Sequence, residues 1–334
     1  MEYITIPGIE QKTSRIGLGT WALGGWMWGG TKKNKPTETI LSALDHKINL
    51  IDTAPAYGFG KAEELIGNTF DRYGNRDEII LSTKVGIEWD KEKNVKRNCT
   101  PERIFKEIYD SLDRLSTDYI DIYHVHWPDP LVPIENTAKA MKNLYIEGKI
   151  NAIGVSNFSV QQMEKFRKVA PIHTCQPPYN LFEREIEERI ICYCQENNIA
   201  LITYSSLCRG LLTGKMSKDR EFNGDDLRNI DPKFQSRHFT SYLNAVDRIA
   251  SFLKEKYNKT ILPGAIRWIL DQQGTGVALW GARQPAQIEP VDDVFGWHLN
   301  KEDFKQIDNI LTESIPEPVK SDFMGPPTRK EITI

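Results

Sequence analysis

The chain has 334 residues, 27% charged and 40% hydrophobic, with a formal net charge of −3, which is ordinary composition for one large α/β domain with insertions. No basic run suggests a nucleic-acid partner, and no stretch approaches the eighteen apolar residues that span a bilayer. The first eight residues lack the basic start and apolar core of a secretion signal, and five scattered cysteines make no disulfide framework, so a reducing cytoplasm is expected.

In chain order, residues 3–13 read as a small hairpin around Pro7-Gly8. Short apolar runs then suggest eight strands over 15–21, 49–53, 78–85, 119–126, 150–156, 173–177, 200–205 and 276–281. Amphipathic segments lie between them. Ile104, Ile108, Leu112 and Leu115 follow a cap and first-turn proline at Thr100-Pro101. Ile134, Ala138, Met141 and Leu144 repeat at the same spacing, with Gly148 as a stop. Ser159 and Gln162 have capping-box spacing, and Asn300 can cap a last helix carrying Phe304, Ile307 and Leu311. Strand and helix in alternation imply a parallel sheet covered by helices. Closure into a (β/α)₈ TIM barrel is the economical form at this length, with an open doubly wound sheet as the alternative. Two long connections, 207–240 and the tail after 313, are long enough to be functional. No linker divides the chain, so residues 1–334 are expected to form one domain.

Chemistry on such a barrel belongs at the C-terminal ends of the strands. The second predicted strand ends in Asp52, with Tyr57 five residues on. The third ends in Lys84 and the fourth in His126. An acid, a phenol, an ammonium and an imidazole on one rim can reduce a carbonyl if a hydride donor is added. A phenol titrates near 10, and a nearby ammonium is expected to lower that value. Asp52 would hold Lys84, His126 would orient the substrate oxygen, and Tyr57 would protonate the forming alkoxide. No side chain supplies hydride, so a nicotinamide cofactor is required.

At this point the motifs resemble those of the aldo-keto reductases over nearly the whole chain. Ile16-Gly17-Leu18-Gly19-Thr20-Trp21 looks like the family's first strand, and Asp52-Thr53-Ala54 through Tyr57-Gly58 like its second. Ser82-Thr83-Lys84, Asp121-Ile122-Tyr123 through His126-Trp127-Pro128, and Ile153-Gly154-Val155-Ser156-Asn157-Phe158 match the next three. The resemblance implies Asp52, Tyr57, Lys84 and His126 as the catalytic set. It implies that Ser156, Asn157 and Gln176 hold the nicotinamide carboxamide, that Tyr204 stacks under that ring, and that Thr20, Trp21 and Ser205 border the cofactor. Tyr204-Ser205-Ser206-Leu207, followed by Arg209 to Lys215, is similar to bacterial members with a long loop after strand seven. There Lys215 and Arg228 would face the phosphates as mobile clamps, with backbone amides near Leu207 and Gly210. Gly281, Arg283 and Gln287 would meet the adenosine, with Arg283 at a 2′-phosphate. The implied cofactor is NADPH, with NADH as the alternative, because the family's acid and asparagine are replaced by Pro290 and Val291 and Trp280 replaces a common proline. The implied partner is a small carbonyl or sugar substrate.

Two other readings compete. The same fold serves as a cofactor-binding regulatory module in potassium-channel β subunits, with little turnover, but all four catalytic residue types are present here. His124 and His126 share a strand face, as ligands of a metal-dependent barrel hydrolase would, yet no third ligand is evident, so His124 reads as a hydrogen-bonded interior residue and no metal is expected. Cys192 and Cys194 diverge on a helix and make no redox pair. Trp21, Trp26 and Trp28 are core, or, at the rim, a substrate wall.

Overall fold

A computed structural model describes residues 1–32 and 34–329. The N-terminal hairpin pairs β1 (Tyr3–Ile4) with β2 (Thr13–Ser14), and β3 (Ile16–Gly19) follows directly. The chain continues through α1 (Trp21–Gly24), α2 (Pro36–Asp45), β4 (Leu50–Asp52), α3 (Lys61–Tyr73) and β5 (Ile80–Val85). A small hairpin of β6 (Ile87–Trp89) and β7 (Val95–Arg97) precedes α4 (Pro101–Leu115) and β8 (Ile120–Val125). Then come α5 (Ile134–Ile146), β9 (Ile150–Ser156), α6 (Val160–Arg167), β10 (Thr174–Gln176), α7 (Ile190–Glu196) and β11 (Ala200–Thr203). The last elements are α8 (Ser236–Tyr257), α9 (Ile261–Asp271), β12 (Val277–Gly281) and α10 (Lys301–Ser314).

Eight of these strands close a barrel in the order β3, β4, β5, β8, β9, β10, β11, β12, every pair parallel. All eight coincide with the expected runs, most of them shortened by a residue or two at the ends. Rim residues such as Trp21 and Ser205 leave the ladder to make turns: Trp21 opens α1 and Ser205 takes a left-handed backbone, φ 60°. The expected caps form. Thr100 Oγ1 accepts from the Arg103 amide at 3.3 Å, and the Ser159–Gln162 and Asn300–Asp303 boxes are both reciprocal. The connection after β11 is shorter than expected, because α8 begins at Ser236 rather than after Thr240.

The barrel interior explains the position of the site. A strand points alternate side chains inward. Low in the barrel these are aliphatic: Leu50, Ile80, Ile122, Ala152, Ile202 and Val277 pack together, and Ile6 and Ile9 of the hairpin plug them from below. One or two pleats higher on the same strands the inward positions become Asp52, Ser82, Lys84, His124 and Ser156, all at most 2% exposed. The outward positions Ile51, Leu81, Tyr123 and Ile153 stay in the layer under the helices. Gly154 makes room for this polar storey, since a Cβ there would lie 2.2 Å from the His124 ring.

Candidate active site

Asp52 is the hub. Lys84 Nζ donates to its Oδ1 at 2.5 Å and to the Thr53 carbonyl at 2.8 Å. Ser82 Oγ and Gln176 Nε2 both donate to Asp52 Oδ2 at 2.8 Å. A carboxylate and an ammonium this deep survive only when paired and fully hydrogen-bonded, and this pair is. Lys84 Nζ lies 5.0 Å from the Tyr57 ring centroid. The Tyr57 ring stacks on Trp21 at 5.9 Å and meets the His126 ring edge-on at 5.9 Å. The four residues read from three strand ends therefore form one group.

Their electrostatics correct one expectation. Burial first, and then the charge of Asp52 and the neighbouring Tyr204, raise the Tyr57 phenol well above its ordinary value rather than lowering it. The Lys84 charge is already spent on Asp52, and burial holds that ammonium below its usual range. Burial, then Lys84, then His124 depress His126 far below the usual imidazole value. The resting site is a neutral phenol and a neutral imidazole above a matched ion pair.

His124 is interior, as expected: its Nδ1 lies 3.3 Å from Ser82 Oγ and its Nε2 2.9 Å from Thr174 Oγ1. Among the described residues no group of three or more His, Cys, Asp or Glu is arranged to hold a metal ion. Cys192 is exposed and Cys194 buried, so the two diverge as expected.

Two lobes open above this centre, and Trp21, Tyr57 and Tyr204 line both. On the side of the second lobe, which Ser156, Asn157 and Gln176 line, Ser156 Oγ donates to the Gln176 carbonyl at 2.7 Å. Asn157 Nδ2 donates to the His126 carbonyl at 3.0 Å, and Tyr204 Oη donates to Asn157 Oδ1 at 2.8 Å. Thr20 is turned downward, donating through both its amide and its hydroxyl to the Asp52 carbonyl.

The first lobe, about 350 Å³, runs over the ends of β11, β12 and β3. It is lined by Ser205, Leu207, Gly210, Lys215, Arg228, Gly281, Arg283 and Gln287, so every remaining cofactor candidate falls in one cleft. Gly281 leaves its wall open, since a Cβ there meets nothing within 4 Å. Three details differ from expectation. Arg228 is not a mobile clamp: it is 7% exposed, forked onto Asp226 at 2.8 and 2.6 Å, and stacked over Phe222. The Gly210 amide already donates to the Leu207 carbonyl at 2.9 Å. Val291 is fully buried in the core, whereas Trp280 and Pro290 both line the cleft, the Trp280 indole N–H donating to the Gln287 carbonyl.

The cationic end fits a phosphorylated ligand. Arg283 stands near Arg228 and Arg220; burial first, and then those cations, push its guanidinium below its usual value while Asp226 opposes them. Such a surplus of positive charge is relieved by an anion. Arg220 is one lining residue that sequence reasoning passed over, because nothing in its local motif marks it.

The second lobe, about 290 Å³, lies over the ends of β4, β8, β9 and β10. Trp21, Trp26 and Trp127 wall it together with Ile87 and Val95 of the β6–β7 hairpin. Phe323 to Pro327 of the tail close it. The tail is tied to the hairpin, with Arg97 Nε donating to the Pro326 carbonyl at 2.8 Å and Arg329 paired with Asp129 at 2.8 Å. The hairpin was not legible beforehand, whereas the rim placement makes Trp21 and Trp26 a wall.

A closed parallel barrel with this group at its C-terminal rim defines a carbonyl-reducing class, and residues 15–312 match the model of the aldo/keto reductase family. The chain belongs to that family and is an NAD(P)-dependent oxidoreductase. It is similar to the aldo-keto reductase YhdN of Bacillus subtilis (strain 168), 56% identical over 332 residues, spanning 99% of this chain and 100% of that one. It is 32% identical to the NADH-specific methylglyoxal reductase of Escherichia coli (strain K12), across 91% and 95% of the two chains. The structure of the glycerol dehydrogenase AKR11B4 from Gluconobacter oxydans superposes with a TM-score of 0.87 at 48% identity, over 97% of this chain and 99% of that one. Nothing in these relationships or in the site favours a module without turnover. Among the described residues no helix is long and apolar enough to cross a membrane.

Proposed function

We propose that the chain reduces a small aldehyde, ketone or sugar carbonyl, with Tyr57 as proton donor at the junction of a dinucleotide lobe and a substrate lobe. The observation that carries this reading is the Asp52–Lys84 pair, 2.5 Å apart and buried, beneath the Tyr57 phenol, which lines both lobes and adjoins His126. A bound nicotinamide supplies the hydride. Tyr57 and His126 hold the carbonyl oxygen, His126 by a neutral hydrogen bond. As charge develops on that oxygen, Tyr57 Oη transfers its proton, which its raised pKa keeps in place through neutral pH. Asp52, itself fixed by the Ser82 and Gln176 hydrogen bonds, holds the Lys84 ammonium 5.0 Å from the Tyr57 ring, beside the phenolate that forms. Trp21 stacked on Tyr57 limits water at the reacting centre.

Ser156, Asn157 and Gln176 would hold the carboxamide, and Tyr204, with Thr20 and Trp21 nearby, would border the nicotinamide ring. Ser205, Leu207, Gly210, Lys215 and Arg228 would hold the diphosphate. Gly281, Arg283 and Gln287 would border the adenosine. The Arg283, Arg228 and Arg220 surplus supports NADPH, and the NADH-specific relative keeps NADH as the second cofactor to be tested. Five free thiols support a cytoplasmic site of action. Titration of the purified protein with NADPH and with NADH, followed by nicotinamide fluorescence, tests the assignment. Tighter binding of NADPH is expected. A preference for NADH would overturn the Arg283 assignment, and binding of neither would overturn the whole reading.

A further inference from the structure

Between the two lobes lies a buried charge cluster that the reduction itself does not use. Arg209 sits at its centre with a left-handed backbone, φ 53° and ψ 29°, flanked by Cys208 at φ 45° and Gly210 at φ 92°. A non-glycine residue keeps that conformation where its surroundings over-determine it, and such positions concentrate at functional sites. The surroundings here are specific. Arg209 Nη2 donates to Glu183 Oε1 at 2.6 Å, and Nε lies 2.7 Å from Asp231 Oδ2. Lys233 Nζ pairs with Glu183 Oε1 at 2.9 Å. The two cations and two carboxylates balance, and none of the four side chains is more than 2% exposed. Burial works to raise the Glu183 carboxyl, but Arg209 and Lys233 hold it down at about 2, so the cluster stays ionised.

This cluster touches both lobes. Arg209 Nη1 donates to Ser205 Oγ at 2.6 Å, and Ser205 lines the dinucleotide lobe. The same guanidinium lies 5.5 Å from the Phe323 ring centroid, and its Nη1 lies 3.7 Å from Met324 Sδ. Lys233 Nζ lies 5.6 Å from that ring and donates to the Lys320 carbonyl at 3.5 Å. Phe323 and Met324 close the substrate lobe. The rest of the tail is fastened elsewhere, at Arg97 and Asp129. Phe323 and Met324 of the substrate lobe are thus held by cations of the segment that also lines the dinucleotide lobe.

We propose that Arg209 is a positioning residue that couples the two lobes: occupancy of the dinucleotide lobe at Ser205 fixes its guanidinium, which through Phe323 and Met324 sets the wall of the substrate lobe. The proposal rests on the lobe assignment given above. Coupling of this kind is reciprocal, so a ligand in the substrate lobe must change NADPH affinity by the factor by which NADPH changes its own.

The test measures NADPH affinity by fluorescence with and without saturating benzyl alcohol, which cannot react with a reduced cofactor. Amide hydrogen exchange over residues 318–329 is followed in parallel. In the wild-type protein the alcohol should tighten NADPH binding about fivefold or more, and NADPH should slow exchange in the tail. Phe323→Leu leaves all four buried charges in place. It should bring the factor close to one while NADPH affinity without the alcohol stays at the wild-type value. Arg209→Lys, which keeps a cation for Glu183 but gives up the hydrogen bond to Ser205, should also bring the factor close to one, and if it fails to fold Phe323→Leu decides alone. A wild-type factor of one, or a full factor retained in Phe323→Leu, overturns the proposal. Failure to bind NADPH at all would instead overturn the lobe assignment, and the coupling with it.

Discussion

The cleft over β11, β12 and β3 gathers Lys215, Arg220, Arg228 and Arg283, whereas the cavity over β4, β8, β9 and β10 gathers Trp21, Trp26, Trp127 and Phe323. One region carries more cation than its own acids match, and the other is walled by aromatic rings with few polar groups. The difference teaches how one barrel rim can offer two unlike environments. On the proposed assignment, surplus charge would grip a phosphorylated ligand at a distance from the chemistry, where its field does little harm. The reacting centre between them is electrically quiet by comparison, because Asp52 cancels Lys84 and both Tyr57 and His126 are held neutral. If this division is right, the regions should fail separately, and their junction should fail hardest.

The largest effect on the fold is expected at the junction. Asp52→Ala leaves the Lys84 ammonium buried and unpaired, a loss of about 3–5 kcal/mol that urea unfolding would read. Little change in the unfolding midpoint would show that water reaches Lys84. Next comes pH. Glu183 is depressed in the folded protein to about 2, so its stabilisation is present above the ordinary carboxylate range and is lost as pH falls from about 5 towards 2. About 3 kcal/mol should disappear in that window in the wild type and not in Glu183→Gln, whose starting stability is lower. Smaller effects separate the lobes. Arg283→Ala should weaken NADPH binding about tenfold, leave NADH binding nearly unchanged, and leave KM for an aromatic aldehyde as it was. Trp26→Ala should raise that KM several-fold, about 1 kcal/mol, without changing NADPH affinity. Cross-effects of equal size in both variants would dissolve the division.

Much of this was legible in the sequence, for a physical reason. A barrel strand is covered on both sides, so its run of apolar residues is plain, and a charged residue at the end of such a run, as Asp52, or one place before it, as Lys84, stands out as a rim group. The β6–β7 hairpin was not legible because its three-residue strands carry Glu88, Lys96 and Arg97 and show no period. The Glu183, Arg209, Asp231 and Lys233 cluster was hidden for another reason. Its members come from separate turns across fifty residues, and only tertiary structure brings them within 3 Å. The expected lowering of the Tyr57 pKa failed because spacing along the chain shows that Lys84 is near but not that its charge is already matched. Arg228 was read as a free cation for the same reason, since its pairing with Asp226 is a matter of rotamer rather than of order in the sequence.

The central claim is that proton transfer resides on Tyr57, where the two lobes meet. Single-turnover reduction of an aromatic aldehyde by Tyr57→Phe preloaded with NADPH tests it most directly. The expected result is a rate lower by about a thousandfold, with NADPH affinity and thermal unfolding close to the wild-type values. A Tyr57→Phe rate within a few-fold of wild type would contradict the account and move the proton donor to another group in the site.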